Sequence, residues 1–215
     1  MPVAGPVMGS AVVGLLEARG IRFHPKSPIE HFEPATAELV LPDGARAGYD
    51  LLAAVPPHRA PAAVRGSGLA NEAGWIPVDR STLQTPYDLV YAVGDATTIT
   101  LTNGKPLPKA GVFAHAQALV VAREIAAAFT GTPPPAGFDG TGFCWVETGA
   151  GRAAFAAGDF FAEPDPTLDL RQPRRVWHAG KVLFERAWLG NPLERRLARA
   201  ALTVGGRLTG FKVTL

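Results

Sequence analysis

Three groups of residues have types and spacing that suit chemistry. The first is Gly94-Asp95, which closes the stretch Thr85-Pro86-Tyr87-Asp88-Leu89-Val90-Tyr91-Ala92-Val93. Leu89 to Val93 reads as a short apolar strand. A buried strand ending in Gly-Asp places a carboxylate at the carboxyl edge of a parallel sheet, where open α/β sheets take their ligands. Gly94, lacking a Cβ, lets the backbone come close to a ligand. Asp95 offers acceptors to hydroxyl groups such as those of a ribityl or ribose chain. A strand followed by an ordinary turn with an N-capping Asp uses the same residues. The second group is Lys109-Ala110-Gly111-Val112, the entry to an apolar helix running to Phe129. The start of such a helix exposes unpaired N–H groups and the positive end of its dipole. A surface lysine before a core helix is the simpler account of Lys109. The third is Cys144, the single cysteine of the chain. A thiolate there is a nucleophile, whereas a lone thiol on a strand is more often a small buried hydrophobe.

The elements that position these groups follow from periodicity. Residues 11 to 19 read as a helix, with Val12, Leu15 and Leu16 at helical spacing and Gly20 as its C-cap. Ile21 to His24, Glu38 to Leu41 and Asp50 to Val55 read as strands, the last two joined through the turn Pro42-Asp43-Gly44. Pro56-Pro57-His58-Arg59 is a rigid loop whose two cationic side chains face either a ligand or solvent. His115, one turn inside the apolar helix, reads as a packed or solvated residue rather than a base. Thr130-Gly131-Thr132-Pro133-Pro134-Pro135-Ala136-Gly137 breaks that helix and marks a module boundary. Phe143 to Glu147, a glycine turn at 148–151, and Arg152 to Gly158 then read as a hairpin. Gly149-x-Gly151-x-x-Ala154 imitates a dinucleotide fingerprint but lacks the helix that must follow it.

The chain has 215 residues, 47% of them apolar and 19% charged, a globular balance with room for one large or two small domains. A formal charge of +2 supplies no case for nucleic acid. One cysteine excludes an internal disulfide framework and a Cys-x-x-Cys pair, and no metal site is expected. No basic N-terminal region suggests a signal peptide, and no apolar run is expected to span a bilayer.

The full string Thr85 to Asp95 resembles the second flavin-binding motif of the two-dinucleotide-binding-domain flavoproteins, and Leu107-Pro108-Lys109-Ala110-Gly111-Val112-Phe113-Ala114 is similar to the loop and helix start beneath the flavin ring. Cys144-Trp145-Val146-Glu147-Thr148-Gly149 with Ala153-Ala154-Phe155 resembles a segment of the sulfide:quinone reductases. The resemblance implies FAD, with Asp95 behind Gly94 on the ribityl chain. It further implies that the amides at Gly111 and Val112, beyond Ala110 and aided by Lys109, polarise the ring. Cys144 becomes a candidate redox-active sulfur, although the family's partner cysteine is absent from these residues. The implied partners are a quinone and a small reduced donor such as sulfide.

The resemblance covers only the C-terminal half of a family member. No Gly-x-Gly-x-x-Gly follows a strand near the N-terminus, so an N-terminal half or partner chain is expected to complete the flavin site. The fold class expected is α/β: an incomplete doubly wound, Rossmann-like flavin-binding fold followed by a C-terminal module of hairpin plus helices. Residues 1–75 are assigned to a remnant of the second dinucleotide-binding domain, 76–131 to the FAD-binding domain, and 132–215 to the C-terminal module. The module's basic amphipathic helix, Leu193 to Leu202 with Arg195, Arg196 and Arg199, suits a membrane surface, its own chain or a homodimer. The expected location is cytoplasmic, peripheral on the inner face of the membrane. A type II NADH dehydrogenase-like flavoenzyme and a non-catalytic remnant without flavin are the alternatives.

Overall fold

The computed structural model describes residues 5–133 and 136–210. Met1 to Ala4 and two prolines of the expected connector, Pro134 and Pro135, lie outside the described residues. Two compact units are present: Ala11–Arg59, and the described residues on either side of it.

Helix α1 spans Gly5–Glu17, close to the helix expected from its apolar spacing. The smaller unit then holds three short strands, β1 (His31–Glu33), β2 (Glu38–Val40) and β3 (Arg46–Gly48), antiparallel in the order β1-β2-β3. The turn at Pro42-Asp43-Gly44 sets the register, pairing Val40 with Arg46. Glu38 binds Arg46 at 2.8 Å across this pair. The other two expected strands do not form. Ile21 to His24 is coil, hemmed in by Pro25, which cannot donate to a ladder. Asp50 to Val55 is also irregular, with Leu51 88% and Val55 84% exposed. Its apolar run has no neighbouring strand among the described residues to take its backbone groups, and the Pro56-Pro57 loop ends any extension. His58 and Arg59 are exposed in that loop.

After residue 59 the larger unit continues with a single helical turn, α2 (Ala62–Arg65), and a two-stranded parallel pair, β4 (Ile76–Pro77) with β5 (Thr97–Thr98). Helix α3, Gly111–Thr130, is its long core element. Phe113, Gln117, Val120 and Ala127 form its buried stripe at spacings of four, three and seven. Gly131, in the left-handed conformation at φ 66°, closes it. Phe113 meets Phe160 edge-on at 5.1 Å and Phe138 at 6.2 Å. Each such ring contributes about 1.5–3 kcal/mol by leaving water. By length and composition α3 can cross a membrane, with a mean hydropathy of 1.4, contrary to the expectation that no run would qualify.

Beyond α3, strands β6 (Thr141–Gly149), β7 (Arg152–Asp159) and β8 (Thr167–Arg174) form an antiparallel sheet in that order. Gly149, Ala150 and Gly151 all take positive φ, so the false dinucleotide fingerprint is a hairpin turn. Strand β8 is an edge strand, the position where Pro173 is tolerated. Helix α4 (Arg175–Leu189) lies on this sheet through Trp177 stacked on Phe155 and Phe184 against Trp145. Helix α5 (Pro192–Thr209) starts in a capping box built by Asn191 and Glu194, and packs Ala198 and Leu202 on Ala187 of α4.

Candidate functional site

The strand expected at Leu89 to Val93 is replaced by a tight turn and one bridge. Leu89 sits at φ 56° and is 65% exposed, and Gln84 pairs antiparallel with Tyr91. Thr85 N–H donates to Val90 O and Ala92 N–H to Leu83 O, so the segment folds back on its own N-terminal side. Pro86 and Asp88 are the turn formers responsible. Gly94-Asp95 therefore precedes a parallel strand, β5, instead of ending one. The pair occupies a single 3-10 turn, Gly94–Ala96.

Two features require glycine at 94. Its φ is 68°, and a Cβ there would lie 3.1 Å from the Cβ of Ala114 on α3. The turn thus rests directly against the first turns of the helix. Gly94 N–H donates to Gln117 Oε1 at 2.6 Å, and Thr97 Oγ1 donates to Gly94 O at 2.8 Å. Lys109 Nζ donates to the carbonyl of Asp95 and, at 2.9 Å, to that of Thr97. The same ammonium lies 3.6 Å from the centroid of the half-buried Trp75 ring. Burial pushes the Lys109 ammonium below its ordinary pKa, while the nearby Asp95 charge pulls it up.

Gly94, Asp95, Lys109 and Ala110 line one pit of about 10 Å³, room for roughly one water. The Asp95 carboxylate is exposed and makes no side-chain hydrogen bond among the described residues. Ala110 is the N-cap of α3 without a side-chain cap. The carbonyl of Ala110 accepts from Phe113 and Ala114, and the amides of Gly111 and Val112 have no partner among the described residues. Gly111 is not in the left-handed region and has no protein atom within 4 Å of where a Cβ would stand. Neither backbone conformation nor packing demands a glycine there. Open space beside two free amides and the positive end of a 20-residue helix suits the electron-rich edge of a ligand. Gly111 and Val112 do not line the pit of Asp95; they border a separate apolar slot.

His115 is packed edge-on against Trp188 of α4 at 4.7 Å. It shares an apolar slot of about 310 Å³ with Gly111, Val112, Phe184 and Trp188. Cys144 lines neither the pit nor this slot. It faces Ala156 across the hairpin, two residues along β6 from Gly142. A Cβ at Gly142 would strike the ring of Phe113, so the alternation of the strand puts Cys144 on the face that α3 covers. Cys144 is exposed, yet the protein around it pushes the thiol pKa up through loss of solvation. The chain's own residues therefore leave it a thiol at neutral pH.

Sequence reasoning missed Gln117, Thr97 and Trp75. Gln117 is 2% exposed, a polar side chain inside an apolar run. Its spacing from Phe113 and Val120 was the available signal. Trp75 and Thr97 reach Lys109 only through tertiary folding.

No family model matches the chain. In sequence it is similar to the mitochondrial sulfide:quinone oxidoreductase of Mus musculus, with 31% identity over 127 residues, covering 59% of this chain and 27% of the mouse protein. The mitochondrial sulfide:quinone oxidoreductase of Schizosaccharomyces pombe is 32% identical over 145 residues, covering 63% of this chain and 30% of the yeast protein. The chain thus spans less than a third of the length of the curated relatives it matches. Its fold is similar to the X-ray structure of the sulfide:quinone oxidoreductase from the hyperthermophilic bacterium Aquifex aeolicus. The TM-score is 0.69 at 22% identity, over 84% of this chain and 44% of that one.

Proposed function

From a chain that is sulfide:quinone oxidoreductase-like in sequence and in fold, we propose a contribution to an FAD-dependent oxidoreductase that moves electrons from sulfide or another small reduced donor to a quinone. The chain supplies the parts that hold the ribityl chain and one ring edge. One observation supports this reading: Asp95 and Ala110, the N-cap residue of the uncapped α3, line one pit, and the next two residues of α3, Gly111 and Val112, border an apolar slot. FAD, when bound, supplies an acceptor and donor of electron pairs. Asp95 accepts from ribityl hydroxyls. The amides of Gly111 and Val112 stabilise negative charge on the ring edge, as preorganised donors do. The missing Cβ of Gly111 leaves space for close approach.

The pyrophosphate needs a glycine-rich turn that these residues do not contain, so the proposal includes an N-terminal half or partner chain. Exposed Leu193, Leu197 and Leu208 of α5, beside Arg195, Arg196 and Arg199, suit contact with an anionic membrane surface or a second copy. Cys144 is the candidate redox sulfur on the α3 side of the sheet. Its place outside the linings of the pit and the slot favours a second reading, a type II NADH dehydrogenase-like enzyme that uses no cysteine.

The test is flavin absorbance of the chain, purified with FAD, alone and co-expressed with a half carrying Gly-x-Gly-x-x-Gly. A stoichiometric band in the pair supports the proposal, and the chain alone is expected to hold little flavin. No band in either sample removes it. Cys144→Ser then separates the two readings: lost sulfide reduction of the flavin favours the first, and unchanged electron transfer the second.

A further inference from the structure

Gln117 is among the largest fully buried side chains, in company with Phe155 and Leu83. A buried primary amide is costly unless its polar atoms are used. Its Oε1 accepts the Gly94 N–H at 2.6 Å, a contact 23 residues apart in sequence. Because Gly94 N–H is a donor, the amide orientation follows from chemistry. The opposite side of the same turn is gripped by Lys109, through the Asp95 and Thr97 carbonyls, with the Trp75 face beneath the ammonium. Thr97 Oγ1 closes the turn onto the Gly94 carbonyl. Every one of these hydrogen bonds ends on the backbone of residues 94–97, and none engages the Asp95 carboxylate.

We infer that Gln117 and Lys109 are positioning residues: together they clamp the Gly94-Asp95 turn against α3, so that the Asp95 carboxylate is held at the helix start. This moves Lys109 from the ring-polarising role expected of it to holding the turn, with its ammonium on two carbonyls and an indole face. Gln117 is the residue that ties the turn to the same helix whose amides form the other half of the site. The inference deepens the proposed function and rests on it for the ligand. The clamp itself is a property of the chain.

The experiment uses the full chain, with Gln117→Leu and Gln117→Glu, and reads amide hydrogen exchange at Gly94 by NMR. Circular dichroism verifies the fold of each variant. Gln117→Glu keeps an acceptor oxygen in either protonation state. The expected result is exchange about ten- to a hundred-fold faster at Gly94 in Gln117→Leu, and near wild type in Gln117→Glu, as expected for one lost acceptor at a part-buried donor. Unchanged exchange in Gln117→Leu, or equal loss in both variants, overturns the clamp. If Gln117→Leu does not fold, Lys109→Met with the same readout at Asp95 and Thr97 takes its place, and unaltered exchange there overturns it equally. A double-mutant cycle with Asp95→Asn, read as FAD retained by the co-expressed pair, tests the positioning. Gln117→Leu is expected to cost flavin affinity in the parent and almost none once Asp95 is neutralised. Additive losses overturn the positioning role. A wild-type pair without flavin defeats the proposed function, and exchange at Gly94 still decides the clamp.

Discussion

Gly94 and Gly111 are both glycines at the site, and they are there for different reasons. Replacing each by alanine separates those reasons. Gly94→Ala forces an L-residue to φ 68° and brings a Cβ to 3.1 Å from Ala114 Cβ. The left-handed conformation costs about 1–2 kcal/mol for a residue with a Cβ. The tight contact with a helix that cannot easily retreat raises the sum to about 2–3 kcal/mol. At about 2–4 °C per kcal/mol for a chain of this size, the midpoint falls by about 4–12 °C. Gly111→Ala meets no such penalty, since no neighbour lies within 4 Å and φ is not left-handed. Its effect on stability stays within about 0.5 kcal/mol, because alanine is tolerated in a first helical turn. It does place a methyl group in the space assigned to the ligand, so flavin retained by the co-expressed pair falls. Thermal unfolding by circular dichroism and flavin absorbance are the two assays. A Gly94→Ala midpoint at the wild-type value, or a Gly111→Ala chain as destabilised as Gly94→Ala, refutes the reasoning.

Three further outcomes follow from the same geometry. Lys109→Met removes the ammonium from the Trp75 face and two carbonyl contacts, so it costs about 1–3 kcal/mol in chemical denaturation, with a change in tryptophan emission. Cys144 reacts with iodoacetamide more slowly than free cysteine at neutral pH, and its rate rises along a titration displaced upward from that of a free thiol. The fold favours the protonated thiol, so this stabilisation is complete below the thiol's unfolded pKa and is lost as pH rises through the folded one. Asn191→Ala removes the acceptor of the Leu193 and Glu194 amides and costs about 0.5–2 kcal/mol, read as loss of helical signal on denaturation.

The parts of the fold visible in the sequence are those fixed by local chemistry. Helix α3 was legible because its apolar stripe ends in Gly131. The β6–β7 hairpin was legible because Gly149 and Gly151 suit the positive φ of its turn. Asp95 and the start of α3 were singled out through the order of residues around them, and Asp95 and Ala110 line one pit while Gly111 and Val112 border a separate slot. Leu89 to Val93 misled because a short apolar run says nothing about which backbone groups will pair with it. Thr85 to Ala92 pairs with itself. Asp50 to Val55 misled for a related reason, since apolar character without a neighbouring strand leaves Leu51 and Val55 in solvent. Strand β8 was hidden by its charges and Pro173, which an edge position allows. Gln117 and Lys109 act on a turn that lies 12 to 23 residues away, and that distance is crossed only by folding.

The central claim is that Asp95 and the α3 entry hold FAD. It is tested most directly by the flavin bound per pair in wild type and Asp95→Ala, each co-expressed with a half that carries the glycine-rich turn. The account predicts a stoichiometric flavin band in the wild-type pair and an affinity about ten-fold or more lower in Asp95→Ala, the scale of a lost charge-assisted hydrogen bond. Equal flavin content and affinity in the two pairs would contradict it.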